Sequence, residues 1–272
     1  LNGILAQKTN FKYEIIIGED ESNDGTQDIC KKYAEKYQDK IRLFLRSQTK
    51  SHIYDKKSNT SIRFNGIWCR MSSRGKYIAW CEGDDYWDDA NKLQKQIDFL
   101  EKNLDYLICF HNVKVFDQKK RKFINDIITR DVLETTYIND LAKGNYIHTP
   151  SVVFRNNFIH PNWFFETTYG DWSLYMLLIG NKKIKKMSEQ MAVYRIHNKG
   201  MIASKKYSDH INANIHNYQI IHNNLELNKK TKYNLKLSIL KLKKIKFKNK
   251  YYFLWIFIRP VYYLYINYFI KK

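Results

Sequence analysis

Apolar runs alternate with polar breaks along the first 200 residues. Tyr13-Glu14-Ile15-Ile16-Ile17 is a short apolar run that ends at Gly18, the pattern of a buried strand. A polar stretch follows, and Gln27 to Tyr37 then places Ile29, Cys30 and Tyr33 on one face of a helix. Ile41 to Leu45 is a second strand. Strand, helix and strand within about 30 residues is the size of a βαβ unit and points to a parallel sheet. Residues 47–60 are polar and Ser/Lys-rich and read as a loop, and Ile62 to Ser73 as a helix. Lys76 to Cys81 is a third strand, Lys92 to Lys102 an amphipathic helix and Tyr106 to Phe116 a fourth strand. Ser151 to Phe154 is a fifth strand, and Asp171 to Ile179 begins a helix with an acid in its first turn.

Composition narrows the class. Hydrophobic residues make up 44% of the 272-residue chain, enough for a core, and 3 Pro and 10 Gly exclude collagen-like and linker-rich readings. The cysteines at 30, 69, 81 and 109 form no C-x-x-C pair, which argues against a zinc knuckle and fits a reduced, cytoplasmic compartment. No charged segment leads into an apolar run at the start, so no signal peptide is expected. The net charge of +20 points to an anionic partner, although Lys, Asn, Ile and Tyr are enriched throughout and compositional drift explains the charge as well. The charge is uneven. Residues 201–272 hold 15 Lys+Arg and 2 Asp+Glu, against 32 and 25 in residues 1–200. A boundary is expected near 204–228, with a first unit at 1–204 and a basic, aromatic helical extension at 205–272.

Two acidic clusters follow strand ends. Ligands of open α/β sheets bind outside the carboxyl ends of the strands, so both clusters are expected to face one crevice. Glu82-Gly83-Asp84-Asp85 sets three carboxylates in four positions. They repel one another unless a cation compensates, and hard cations such as Mg²⁺ and Mn²⁺ take oxygen ligands. The plain alternative is a solvated acidic turn, but the preceding apolar strand and the flanking Tyr86 and Trp87 favour a metal site. In Glu19 to Thr26, Asp24 reads as a helix cap and Asp20 as a ligand contact.

These residues carry a resemblance. Ile15 to Thr26 resembles the "DDxSxDGT" loop of family 2 glycosyltransferases of the GT-A fold, and Arg74 to Trp87 resembles the segment that contains their DxD motif. Tyr169-Gly170-Asp171-Trp172 is similar to the acceptor-side acid motif. Val193 to Gly200 is similar to the "YRxHxxG" ending of bacterial members that build envelope polysaccharides. Four motifs in order cover residues 1–204. The resemblance implies a GT-A, Rossmann-like, mostly parallel α/β sheet flanked by helices. It implies an inverting transfer from a nucleotide-sugar donor, a UDP-sugar first, to a glycan or lipid-linked acceptor. Glu19, Asp20, Glu82 and Asp84 are the implied donor contacts. Asp84, Asp85 and His197 are the implied holders of Mn²⁺ or Mg²⁺, and Asp171 is the implied general base. Trp172 and His148, the latter beside a Thr149-Pro150-Ser151 segment like that of similar proteins, are candidates for the acceptor. Core packing is the alternative for Trp172 and Trp87, and a second-shell or core role for His111. Arg195 pairs with phosphate or with a carboxylate.

Two departures stand out. Glu82 replaces the usual first Asp of DxD, one methylene longer. The family's opening strand and "PxYN"-like loop, roughly 20 residues, are not found ahead of Leu1 to Lys8, which reads as the following helix. Loss of that strand leaves two unpaired edges in the core, and the chain is then a fragment or a damaged version.

Lys229 to Lys250 is a basic helical stretch, and Tyr251 to Ile270 has the length of a membrane span but carries Arg259-Pro260 at its middle. A segment lying on the inner membrane surface, with lysines on anionic headgroups, fits better than a span, and a helical pair packed on the domain or a dimer contact is the alternative. A non-catalytic transferase remnant and a basic nucleic-acid-binding protein are the competing readings of the whole chain. The acidic clusters would repel nucleic-acid phosphates, so no nucleic acid is expected.

Overall fold

The computed structural model describes residues 1–47, 52–55, 60–63, 65–157, 160–168, 170–198, 200 and 206–250, with 52–55 and 60–63 described by backbone alone. The expected surface segment at 251–270, and Tyr169 and Lys199 of the motifs, lie outside these residues.

Helix α1 (Asn2–Leu5) is a single turn, shorter than the helix expected over Leu1 to Lys8. Strand β1 (Ile15–Glu19) leads through a tight loop to helix α2 (Thr26–Lys36), and β2 (Ile41–Leu45) returns parallel to β1. This is the expected βαβ unit. Gly25 enters α2 with φ +87°, where a side chain would be strained, and Asp24 Oδ1 accepts from Thr26 N at 3.1 Å. The stretch expected as a loop at 47–60 instead contains β3 (His52–Asp55), which pairs antiparallel with β4 (Thr60–Arg63). Ile53, Ile62 and Thr60 are β-branched and suit a strand, which the surrounding Ser and Lys hide. For the same reason helix α3 starts late, at Asn65, and ends at Met71.

Strand β5 (Tyr77–Ala79) and strand β6 (Tyr86–Trp87) bracket the acidic loop. Helix α4 (Lys92–Lys102) has the expected bounds. The expected fourth strand is two: β7 (Tyr106–His111) and β8 (Lys114–Asp117), which break at Asn112 and enter different sheets. Short elements follow: β9 (Lys122–Ile124), β10 (Thr135–Thr136), α5 (Ile138–Leu141), a 3₁₀ turn at Thr149–Ser151 and β11 (Val153–Arg155). Helix α6 (Gly170–Ile179), strands β12 (Lys183–Met187) and β13 (Ala192–Ile196), and helices α7 (Tyr207–Asn224) and α8 (Lys229–Lys250) complete the described chain. Helix α7 lies in the zone read from sequence as a boundary and as the start of a helical extension.

The central sheet runs β10-β12-β7-β11-β5, and a second sheet runs β6-β13-β8-β9. The sheets are mixed, which corrects the expectation of mostly parallel strands. Strands β7 and β12 are parallel, as are β8 and β13, but β11 lies antiparallel to both β7 and β5. The βαβ unit at the start is parallel because a helix carries the crossover, whereas β11 enters the sheet antiparallel between β7 and β5.

The main core joins β7, β11, α5 and α6 to the last two helices. Ile108, Phe154, Leu174 and Tyr175 are buried with Tyr218 and Ile221 of α7 and Leu235 of α8. A second cluster under the acidic loop is built on Trp87, Leu93, Leu100 and Val115. There Trp87 Nε1 donates to Pro150 O at 2.9 Å, and the fully buried Lys92 sets Nζ 4.3 Å from the Trp87 ring. Burial pushes the Lys92 ammonium down to about 7. Lys92 also donates to Gln96 Oε1 at 2.8 Å, and Gln96 Nε2 reaches Ser151 O at 2.9 Å. These bonds tie the floor of the acidic loop to the Thr149–Ser151 turn.

Among the described residues, β1 pairs only with β2, and β5 only with β11. Each therefore keeps an open edge, and Ile16, Ile78 and Ala79 line one cavity between them. Helix α3 packs on β1 at Gly18, where Asn65 Nδ2 donates to Gly18 O at 2.8 Å. A Cβ on Gly18 would lie 2.1 Å from Asn65 Oδ1 and 2.4 Å from Cys69 Sγ. Gly18→Ala should therefore cost about 1–3 kcal/mol of stability, read as a lower urea midpoint with an unchanged m-value. An unchanged midpoint would show that α3 does not pack this closely on β1.

Candidate active site

The site follows from strand register. Strand β13 runs antiparallel to β6, with Ala192 opposite Trp87 and Val193 opposite Tyr86. Continued by two residues, that register sets Arg195 against Asp84. The Val193 to Gly200 motif is thus delivered onto the acidic loop, although more than 100 residues separate Asp84 from Arg195. Arg195 N donates to Asp85 Oδ1 at 2.9 Å, and Arg195 Nε reaches Asp84 O. His197 Nε2 sits 3.0 Å from Asp84 Oδ2. Arg195 therefore meets the acidic loop itself.

Glu82, Asp84 and Asp85 each bring a carboxylate oxygen within 4.8 Å of the others. Asp85 is buried, and its Oδ2 has no hydrogen-bond partner among the described residues. Burial, with the charges of Asp84 and Glu82, pushes the Asp85 carboxyl up to about 8. Glu82 is recessed in the cleft but open to water. Enclosure by protein, then the Asp171 and Asp84 charges, push it up to about 7 against a hydrogen bond from Thr149 Oγ1 at 3.1 Å. An all-oxygen donor set with an orphaned buried oxygen suits a hard divalent cation. Asp84, Asp85 and Glu82 would hold it.

Asp171 opens α6, the helix whose Leu174, Tyr175, Met176 and Ile179 are core residues. Its carboxylate accepts from Asn145 Nδ2 at 3.0 Å. Burial raises its pKa, and hydrogen bonds only partly offset that. One turn on, the Tyr175 hydroxyl is buried without a partner, and burial with the charges of Asp171 and Glu82 raises its pKa.

One cleft of about 1850 Å³ is lined by Asp20, Glu82, His148, Asp171, Trp172 and His197, among others. The structure thus brings together both sequence clusters and both later motifs. Glu19 is spent inside its own loop: it is buried and accepts from Ser22 N at 2.8 Å, Gln27 Nε2 at 3.0 Å and Glu21 N at 3.1 Å. Burial alone would raise its pKa, and these bonds outweigh burial and lower it. Trp172 is buried in the cleft wall, with Nε1 donating to Leu141 O at 2.9 Å and its ring 4.4 Å from that of Tyr218. His148 is buried beside Tyr194, ring centroids 4.6 Å apart, with Nε2 2.8 Å from Asp126 Oδ2. His111 is a core histidine, which burial pushes down to about 3. Asn145, Thr149 and Asp126 escaped notice as contacts of Asp171, Glu82 and His148. Only the Thr-Pro-Ser segment gave any signal, and Asp126 sits in a loop without a motif.

Residues 1–54 match the model of glycosyl transferase family 2. An uncharacterized protein of Mycobacterium tuberculosis is 34% identical over 203 residues, 74% of this chain and 55% of that one. The likeness to glycosyltransferase family 2 is thus carried by the first 54 residues. EpsE of Bacillus subtilis, a protein named as a glycosyltransferase, is 33% identical over 118 residues, 43% of this chain and 38% of that one. The chain spans about half the length, or less, of these relatives. A mannosyltransferase from Pyrobaculum calidifontis, solved with GDP-Man and Mn²⁺, matches with TM-score 0.54 and 10% identity over 88% of this chain and 63% of that one. The fold is therefore of the GT-A type, with the described residues ending in a helix.

The raised Asp85 pKa gives a signed expectation for the metal-free protein. An acid that holds its proton more tightly when folded loses stability as pH rises from the unfolded value toward about 8. Asp85→Asn has no charge to bury. Its melting temperature should exceed that of the parent chain at pH 8.5, by an amount worth roughly 1–3 kcal/mol, and the gap should close toward pH 5. A gap that does not change with pH would contradict the assignment.

Proposed function

We propose that this chain transfers a sugar from a nucleotide-sugar donor to a hydroxyl of a glycan or lipid-linked acceptor, with inversion at the anomeric carbon. The observation that carries this reading is the carboxylate triad with an orphaned buried oxygen, in one cleft with Asp171. In this reading Asp84 and Asp85 hold Mn²⁺ or Mg²⁺, with Glu82 in the set and His197 fixing Asp84. The cation supplies the positive charge that a departing diphosphate needs. Asp20 contacts the nucleotide, and Glu19 shapes the loop that carries Asp20. A UDP-sugar remains the first candidate donor, with a GDP-sugar next because the mannosyltransferase of similar fold binds GDP-Man.

Asp171 takes the proton of the acceptor hydroxyl as it attacks. A raised pKa suits a base that must accept a proton near neutral pH, and Asn145 orients the carboxylate. His148 and Trp172 form the acceptor wall, His148 being set by Asp126. Attack from the face opposite the diphosphate inverts the centre.

We read residues 1–204 as the catalytic unit and 205–272 as its extension. The apolar slot between the open edges of β1 and β5 is read as the place of a further strand. Likeness to EpsE and the envelope-type motif at Val193 to Gly200 support a part in surface polysaccharide synthesis at the inner face of the membrane. Carboxylates along the cleft speak against nucleic acid as a partner.

Calorimetric titration of UDP and of GDP, with and without Mn²⁺, tests the donor site. One nucleotide should bind saturably only with Mn²⁺, and Asp84→Ala should abolish that binding. A folded chain that binds neither would favour the non-catalytic remnant. With donor and acceptor in hand, Asp171→Asn should lower kcat by about 10²–10⁴ and leave donor affinity within about twofold. A small loss of kcat would remove Asp171 from the role of base.

A further inference from the structure

Two exposed features flank the acceptor side of the cleft, and neither is used by the chemistry above. The first is the outer face of α8. Thr231, Asn234, Leu235 and Ser238 form its buried face. They are fixed by Asn234 Nδ2 to Asn139 O at 3.0 Å and Ser238 Oγ to Ala142 O at 2.9 Å. On the opposite face Lys229, Lys232, Lys236 and Lys243 recur at spacings of three, four and seven, and all four are exposed. The helix contains no Asp or Glu, so no carboxylate within it balances this stripe.

The second feature is the loop between β9 and β10. Ile127 is 81% exposed and Leu133 79%. The loop is held in shape, since Asp126 accepts from Ile128 N at 2.8 Å and Thr129 Oγ1 at 2.6 Å and also bonds His148. Its other two acids are neutralised: Asp131 pairs with Lys186, and Glu134 with Lys185. The apolar side chains are therefore presented to water by a fixed turn.

Helix α5 joins the two features. Arg130 donates to Asp140 O at 2.6 Å from the loop side, and Asn139 O accepts from α8. The loop reaches the cleft through Ile128 and Thr129, and α8 lines it with Ser238, Lys241 and Leu242, residues other than those of the lysine stripe.

We infer that this face, the loop around Ile127 and Leu133 together with the lysine stripe of α8, docks on an anionic lipid bilayer. Lysines meet the headgroup charge, and the two aliphatic side chains enter the boundary between headgroup and acyl chain. A nucleic-acid partner would use the lysines but gains nothing from Ile127 and Leu133. The docked cleft opens toward the lipid surface on the side of His148 and Asp171. That last step rests on the transferase reading and specifies its acceptor as one presented by a membrane. The docking does not rest on it.

The test is flotation of the full chain with vesicles of phosphatidylglycerol and phosphatidylcholine, against phosphatidylcholine alone. Three forms are compared: the parent chain, Lys229→Glu with Lys232→Glu and Lys236→Glu, and Ile127→Asp with Leu133→Asp. All five positions are exposed, and circular dichroism melting checks the fold of each form. The parent chain should bind the anionic vesicles and not the neutral ones. Each variant should bind at least about tenfold more weakly, and salt should weaken the parent and the Ile127/Leu133 variant more than the lysine variant. Equal binding to both vesicle types would overturn the inference. So would parent-level binding by both variants, which would move the contact to residues 251–272. Loss in the lysine variant alone, with tight salt-dependent binding of duplex DNA, would overturn it in favour of nucleic acid. Vesicle binding without metal-dependent nucleotide binding would refute only the donor site, and the converse result only the docking face.

Discussion

Mutual repulsion among Glu82, Asp84 and Asp85 is the constraint on which the rest of the site depends. Three carboxylates whose oxygens lie within 4.8 Å of one another cannot all ionise without compensation. The fold does not remove the problem. It buries Asp85 and leaves one of its oxygens without a partner. Among the described residues it offers a backbone N–H and the charge of Arg195, a hydroxyl from Thr149 and an imidazole from His197. Such an arrangement costs stability in the metal-free protein, and a divalent cation held as proposed would relieve that cost.

The scaffolding around that cluster has a matching logic. Strand β13 brings the Arg195–His197 segment by antiparallel register with β6. The Trp87–Lys92–Gln96 network fixes the floor and ties it to the turn that presents Thr149. Helix α6 starts at the cleft and is otherwise core, so Asp171 stands on a rigid element. Asp126 extends the same order outward, since it fixes both His148 and the exposed loop at the mouth of the cleft. His148 and the candidate docking face are therefore linked through one carboxylate.

Much of this was legible in the chain. The amphipathic face of Lys92 to Lys102 set its bounds, and the apolar run at Ile15 to Ile17 marked a strand ended by glycine. The acidic clusters were visible because carboxylates after an apolar strand are unusual, and the four motifs named the family. Sequence reading failed where tertiary pairing decided the outcome. Asn112 splits one apolar run between two sheets, and β11 is antiparallel to its neighbours, neither of which local periodicity encodes. Strand β3 lay hidden in a Ser/Lys-rich stretch. Glu19 resembles a ligand in the chain, yet three hydrogen bonds turn it inward to hold its loop. Asn145 and Asp126 act across 26 and 22 residues from single polar positions, which no spacing rule detects.

The most direct test of the central claim is anomalous diffraction from crystals soaked with Mn²⁺ and the nucleoside diphosphate that binds. One strong Mn²⁺ peak should appear within direct coordination distance, about 2.0–2.6 Å, of carboxylate oxygens of Asp84 or Asp85, with the diphosphate on its far side. A diphosphate bound in the cleft with no Mn²⁺ at these carboxylates, or Mn²⁺ bound elsewhere, would contradict the account.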